Sequence, residues 1–77
     1  MYKYRIRLDT YTQIRDFVTI AEKLPFDVHI ENRKGTKRGN AKTLFNVLDA
    51  MTYDKIYILS EHDIYTPFRD FIINETQ

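Results

Sequence analysis

The spacing of apolar residues changes its period along the chain, and this change constrains the fold more than any other feature. In residues 2–8 apolar side chains occupy every second position, as in a strand with one buried face. From Ile14 to Leu24 they recur every third or fourth position, which is typical of an amphipathic helix that Pro25 would end. The N-terminal third therefore predicts a strand followed by a helix.

The start of this helix carries a capping signal. Thr10 and Gln13 have the spacing of a capping box, in which the threonine oxygen accepts a free backbone N–H and the glutamine reaches back. Thr10 is the favoured N-cap. Asp9 and Thr12 are the alternatives.

Two strands and a second helix are predicted in the middle of the chain. Residues 26–30 alternate between apolar and polar side chains and run into a basic turn, which indicates a strand and a hairpin. A short third strand should follow around residues 37–41. Residues 44–51 return to helical spacing, with Asn40 or Thr43 as the cap.

The last third predicts a strand and a short helix. Residues 55–60 form an apolar run rich in Ile and Tyr, which favours a strand. Thr66 precedes Pro67, and this pair is typical of an N-cap followed by the first helical position. The buried stripe of this helix should consist of Phe68, Phe71 and Ile72.

The resulting order, β-α-β-β-α-β-α, predicts an α+β fold in one domain that covers residues 1–77. A chain of this length must place all its apolar faces against a single core. Three helices cannot cover both faces of four strands, so we expect an open-faced sandwich, with a four-stranded antiparallel sheet and all three helices on one face. The open face should carry Lys3, Arg5, Arg7, His29 and Tyr57.

The sequence favours a cytoplasmic protein. It has no cysteine, which fits a reducing compartment. Its N-terminus alternates polar and apolar residues and so lacks the apolar stretch of a signal peptide, and no run of 18 apolar residues predicts a membrane span. We therefore expect no membrane association.

Enzyme activity is not expected. The chain contains no Ser-His-Asp or Cys-His set, and its two glycines cannot form a Gly-rich phosphate loop. His29 and His62 have no metal-ligand spacing, so both are interpreted as surface residues. We predict no catalytic residues, no metal and no cofactor.

Nucleic-acid binding is the alternative function, which the basic residues clustered at 33–42 and on the open sheet face indicate. Residues 1–42 have a net charge of +5 and residues 43–77 a net charge of −4. Against this alternative, the expected exposed positions include Asp27 and Glu31, and the sheet has no paired aromatic motif for stacking bases. The residues that would form this alternative surface, on the hairpin and the open sheet face, are Arg5, Arg7, Arg33, Lys34, Lys37 and Arg38.

A resemblance to a known family comes from residues 39–47. The run Gly39-Asn40-Ala41-Lys42-Thr43-Leu44-Phe45-Asn46-Val47 resembles the stretch that opens the second helix of the HPr phosphocarrier proteins. Ala21-Glu22-Lys23 and Asp27-Val28 resemble two further landmarks of that family. The resemblance implies the same open-faced fold and a link to the sugar phosphotransferase system.

The chain departs from the family at the phosphoacceptor. HPr proteins carry a histidine at the N-terminus of the first helix, whereas Thr10 falls at that position here. A phosphothreonine ester lacks the reactive P–N bond of phosphohistidine and would not pass its phosphoryl group on readily. We therefore expect a non-carrier module that binds or regulates another cytoplasmic protein.

The resemblance also implies where a partner binds. Leu44 and Phe45 match an apolar patch that HPr presents to its partners. As neighbours on a helix they cannot both face the core fully. The alternative interpretation is that these side chains fill the core instead of binding a partner. Thr43 matches the family's regulatory serine, so it is either a phosphorylation site or a simple cap. Val47 should point inward. The expected partner surface consists of Thr10, Thr12, Thr43, Leu44, Phe45 and Leu48.

Overall fold

The computed structural model describes residues 1–73 and has four strands and three helices in the predicted order. The elements are β1 (Tyr2–Ile6), α1 (Tyr11–Lys23), β2 (His29–Asn32), β3 (Arg38–Asn40), α2 (Leu44–Ala50), β4 (Ile56–Ser60) and α3 (Tyr65–Phe68). The strands form one antiparallel sheet in the order β1-β4-β2-β3. The three helices lie on one face of this sheet, so the predicted α+β fold is confirmed.

The core lies between the sheet and the helices. Ile58 on β4 lies opposite Tyr4 on β1 and Ile30 on β2, so these three side chains share the helix-facing side of the sheet. Phe17 of α1 is fully buried above them, and its ring centroid lies 4.9 Å from that of Phe68. The apolar stripe of each helix therefore closes onto the alternating apolar residues of the strands.

Helix α1 begins with the predicted capping box. The Thr10 hydroxyl accepts the backbone N–H of Gln13 at 3.1 Å, and the Gln13 side-chain oxygen accepts the backbone N–H of Thr10 at 3.1 Å. The same oxygen accepts the N–H of Asp9 at 2.7 Å. One N–H group of the first helical turn, that of Gln13, and the N–H groups of the two residues that precede the helix are thereby satisfied.

Helices α1 and α2 run in opposite directions. The Lys42 ammonium, just before α2, donates to the backbone carbonyl of Leu24 at the end of α1, at 2.9 Å. At the opposite ends of the two helices, Met51 after α2 and Asp9 before α1 line one surface depression. The start of each helix therefore lies near the end of the other.

Helix α2 approaches β3 closely at Gly39. A Cβ atom at this position would lie 2.9 Å from the Cβ atom of Asn46 on α2, which is too close for any larger residue without movement. Glycine is therefore required here by proximity between helix and strand, and its backbone φ is not in the left-handed region.

Helix α3 starts and ends earlier than predicted, so Phe71 and Ile72 lie beyond its last residue, Phe68. It begins at Tyr65, so Thr66 and Pro67 lie within its first turn and the interpretation of Thr66 as the N-cap is wrong. The Asp63 carboxylate accepts the N–H of Tyr65 at 3.0 Å and therefore supplies a polar partner at the helix start. Proline is tolerated there because the first N–H groups of a helix have no intrahelical partner.

Candidate functional site

The apolar part of the predicted partner surface lies on α2. The Phe45 side chain is 82% exposed, more than any other large apolar side chain in residues 1–73, whereas Val47 is fully buried. Leu44 and Leu48 are half-buried and pack against the core. Successive residues of an α-helix are rotated by about 100°, so a helix with Val47 inward must turn Phe45 towards solvent. The predicted orientations of Phe45 and Val47 are confirmed.

The three threonines of the predicted surface differ in their hydrogen bonding. Thr10 uses its hydroxyl in the capping box of α1. Thr43 is the N-cap of α2, but its side chain is exposed and makes no capping hydrogen bond. Thr12 is exposed in the first turn of α1. The Thr43 hydroxyl is thus accessible to a modifying enzyme.

The predicted surface is divided between the two ends of α1. Thr10 and Thr12 lie at its N-terminus, whereas Thr43 follows Lys42, which contacts the C-terminal end of α1 through Leu24. Helix α1 has 13 residues and is about 20 Å long. The structure therefore brings Leu44, Phe45 and Leu48 together on α2, and it separates Thr43 from the threonines at the start of α1.

The open face of the sheet is built around a buried carboxylate. Glu31 on β2 is 5% exposed, although the sequence predicted an exposed residue. Across the sheet, Arg5, Tyr57, Glu31 and Arg38 form one row from β1 to β3. Glu31 receives two hydrogen bonds from the Arg38 guanidinium, at 2.8 and 3.2 Å, and the Lys3 ammonium lies 3.3 Å from its other oxygen. The prediction was wrong because cross-strand cations cover a side chain that alternation alone places towards solvent.

This ion-pair network sets the charge state of Glu31. Burial by itself would raise the pKa of the Glu31 carboxyl, but the hydrogen bonds and positive charges of Arg38 and Lys3 outweigh burial, and the pKa lies below its usual value. Lys3 also lies 5.0 Å from the centre of the Tyr57 ring, within the range of a cation–π interaction. Lys3 and Arg38 are therefore engaged within the protein.

Apart from Arg38, the basic residues of the predicted nucleic-acid surface divide into two groups. Arg5 lies on the open face of β1 and Arg7 just beyond that strand, where Arg7 is exposed. Arg33, Lys34 and Lys37 are exposed on the turn between β2 and β3. The six residues of the predicted nucleic-acid surface thus do not form one continuous cationic face, because Arg38 between the two groups is paired with Glu31.

The β2–β3 turn forms one wall of a cleft with a volume of about 270 Å³. The cleft was not predicted, because its other wall comes from the loop after α2, about fifteen to twenty residues further along the chain. No short-range pattern in the sequence relates the two segments. The lining residues are Asn32, Arg33, Lys34, Lys37, Thr52, Tyr53 and Asp54.

Neither histidine lies at the N-terminus of α1. His29 is half-buried on β2, and His62 stacks on the ring of Phe26 with 4.3 Å between ring centroids. Among residues 1–73, no three His, Cys, Asp or Glu side chains are grouped so that they could hold a metal ion. None of the helices in this part of the chain is both long enough and apolar enough to cross a membrane.

Comparisons with known proteins do not identify a family. No family model matches the chain, and neither a curated protein nor a solved structure matches it.

Proposed function

We propose that this chain is a non-carrier relative of the HPr proteins that acts in the cytoplasm as a protein-binding or regulatory module. The observation that carries this proposal is the 82% exposure of Phe45 beside half-buried Leu44 and Leu48. Further support comes from the run of residues 39–47, which resembles the partner-binding segment of HPr. The observed arrangement of strands and helices is also the one that the resemblance implies.

The exposed Phe45 ring gives this surface a source of binding energy. Phenylalanine has no polar atom with which to interact favourably with water, and aromatic residues are enriched in the centres of protein interfaces. Full burial of such a side chain contributes about 1.5–3 kcal/mol. The half-buried Leu44 and Leu48 side chains would flank the ring and exclude water around it.

The start of α1 supports binding without phosphotransfer. Thr10 occupies the position at which the resemblance would require a phosphoacceptor histidine, and its hydroxyl is already used to cap α1. A phosphoryl group on threonine would be held as a stable ester. The start of α1 therefore offers no group-transfer chemistry.

Phosphorylation of Thr43 would regulate this surface. The Thr43 hydroxyl is exposed, makes no capping hydrogen bond and lies two residues from Phe45. A phosphate there would place about two negative charges next to an apolar contact, which disfavours burial of that contact. The Thr43→Glu variant should accordingly bind the partner more weakly than Thr43→Ala.

Quantitative capture of partners from the native cytoplasm tests the proposal. The bait proteins are the wild type, Phe45→Asp and, as a matched control, Tyr2→Asp, which removes another exposed aromatic ring, on the edge strand β1, whereas α2 packs against β2 and β3. We expect one or more proteins to be retained by the wild type and by Tyr2→Asp but lost with Phe45→Asp. Equal retention by all three folded baits would show that the α2 surface does not bind a partner.

A further inference from the structure

The turn between β2 and β3 is held rigidly by one side chain. The Asn32 side-chain oxygen accepts the backbone N–H groups of Thr36 and Lys37 at 2.9 and 3.1 Å, and its amide donates to the Thr36 hydroxyl at 2.8 Å. Gly35 completes the turn with a φ of +74°, a conformation that other residues rarely adopt. The backbone that carries the basic residues of the turn is therefore preorganised.

The opposite wall of the cleft is also ordered. After α2 the chain makes consecutive tight turns, in which Thr52 donates its N–H to Asp49 at 3.1 Å and Tyr53 donates its N–H to Ala50 at 3.0 Å. The Thr52 hydroxyl donates to the same Asp49 carbonyl at 2.8 Å. The cleft thus lies between two segments whose backbones are fixed by local hydrogen bonds.

The cleft carries an excess of positive charge. Arg33, Lys34 and Lys37 form no ion pair with any residue in 1–73. Glu31 lies close to the turn, but its carboxylate is occupied by Lys3 and Arg38 and cannot neutralise the other cations. The one acidic residue that lines the cleft is Asp54, so the lining side chains sum to a charge of +2.

Tyr53 adds an aromatic surface and a hydrogen-bond donor. Its hydroxyl makes no hydrogen bond to any residue in 1–73. Burial, and then the negative charge of Asp49, raise the pKa of the Tyr53 hydroxyl above its ordinary value, so the group stays protonated at neutral pH. A residue that lines the cleft therefore carries an O–H donor without a partner in residues 1–73, in addition to the guanidinium and the two ammonium groups.

We propose that this cleft binds the phosphate of a nucleotide, either as a free nucleotide or within a single strand of nucleic acid. Phosphate oxygens accept charge-assisted hydrogen bonds from arginine and lysine, and arginine can bind two oxygens at once. Tyr53 packs partly against the core and lines the cleft, and the accessible part of its ring is a surface on which a base can pack. The volume of about 270 Å³ is close to the lower limit of small-ligand pockets, about 300 Å³. This site is separate from the Phe45 surface.

Titrations followed by backbone amide NMR test the site. The probes are AMP, inorganic phosphate and a short single-stranded oligonucleotide. We expect AMP to shift the resonances of the β2–β3 turn and the loop after α2 in a saturable manner. Lys34→Ala combined with Lys37→Ala should weaken AMP binding about tenfold or more, because two charge-assisted hydrogen bonds are lost.

Three further variants separate binding at this site from a general effect of charge and from the Phe45 surface. Asp54→Asn removes the one carboxylate of the cleft and should strengthen AMP binding several-fold. Lys23→Ala removes an exposed positive charge at the far end of α1 and should leave binding unchanged. Phe45→Asp should bind AMP as the wild type does, which distinguishes this site from the proposed partner surface.

The relative affinities of the probes identify the source of the phosphate. Similar affinities for AMP and for the oligonucleotide would support a free nucleotide. Much tighter and steeply salt-dependent binding of the oligonucleotide would support a strand, because several phosphates then release counterions. The proposal is overturned if no probe gives saturable shifts at millimolar concentrations, or if the Lys34→Ala, Lys37→Ala variant, folded by its amide spectrum, binds as tightly as the wild type.

Discussion

At the scale of single residues, Phe45 and Val47 lie on opposite sides of α2 although only one residue separates them. Phe45→Ala should change the free energy of unfolding by no more than about 0.5 kcal/mol, because the ring is already exposed to solvent. Val47→Ala should cost about 2 kcal/mol, because it empties part of a fully buried site. Denaturant unfolding of both variants measures the two values.

The opposite ranking would contradict the orientation of α2. A loss of several kcal/mol in Phe45→Ala together with a nearly silent Val47→Ala would mean that the helix is rotated. The proposed partner surface would then be wrong as well, because Leu44 and Leu48 would no longer flank an exposed ring.

Glu31 should make stability depend on pH. Its pKa is lower in the folded protein than its ordinary value of 4.5, so its contribution is fully present above that value and is lost as pH falls through the folded pKa. Glu31→Gln should reduce the free energy of unfolding by about 1–3 kcal/mol at neutral pH. Denaturant unfolding from neutral pH down to about pH 3 should show the difference from the wild type shrinking towards acid.

A matched control for this effect is Glu22→Gln. Glu22 is exposed on α1 and forms no ion pair with any residue in 1–73. Its substitution should leave both the stability and its pH dependence near those of the wild type. If Glu31→Gln behaved in the same way as Glu22→Gln, the network of Lys3, Glu31 and Arg38 would not contribute to stability.

At the scale of elements, α1 and α2 both have a threonine as N-cap residue, but only Thr10 makes a capping hydrogen bond with its hydroxyl. Thr10→Ala should destabilise the protein by about 1 kcal/mol, because it leaves the Gln13 N–H without its partner. Thr43→Ala should be nearly neutral, since the Thr43 hydroxyl caps nothing. Thermal unfolding of the two variants provides the comparison, and a larger loss for Thr43→Ala would contradict the described helix starts.

The pairing of the strands also explains why the charged Glu31 side chain is buried. The β2–β3 hairpin places Arg38 directly opposite Glu31, and the pairing of β1 with β4 brings Lys3 within reach from two strands away. Cross-strand pairs of opposite charge contribute roughly 0.2–1 kcal/mol each to a sheet. Here Tyr57 is the direct cross-strand neighbour of Glu31 on β4, and Lys3 lies over the Tyr57 ring.

At the scale of the whole molecule, the positions of the two histidines argue against phosphocarrier activity. Incubation with phosphoenolpyruvate and a general Enzyme I should label neither His29 nor His62, because neither lies at the start of α1, where the resemblance places phosphotransfer. Phosphate on each histidine is measured by mass spectrometry under neutral conditions, which preserve phosphohistidine. Acid-labile phosphate on either histidine would overturn the proposal of a non-carrier module.

The sequence by itself determined the identity and order of the elements. A period of two or of three to four residues reflects which side of a strand or helix is apolar, and Thr10 and Gln13 cap α1 through atoms only three residues apart. The same local geometry fixed Phe45 outward and Val47 inward once α2 existed. These features depend on neighbours in sequence and could be predicted from them.

The tertiary structure alone decided the surroundings of the polar residues. It buried Glu31 between Lys3 and Arg38, it placed Thr43 at the opposite end of α1 from Thr10, and it joined the basic turn to Tyr53 in one cleft. Each result depends on strand order and on the antiparallel packing of α1 and α2, which bring together segments distant in sequence. The periodicity of apolar residues indicates which face of an element is apolar, but it does not indicate which charged side chain from another element will cover the opposite face.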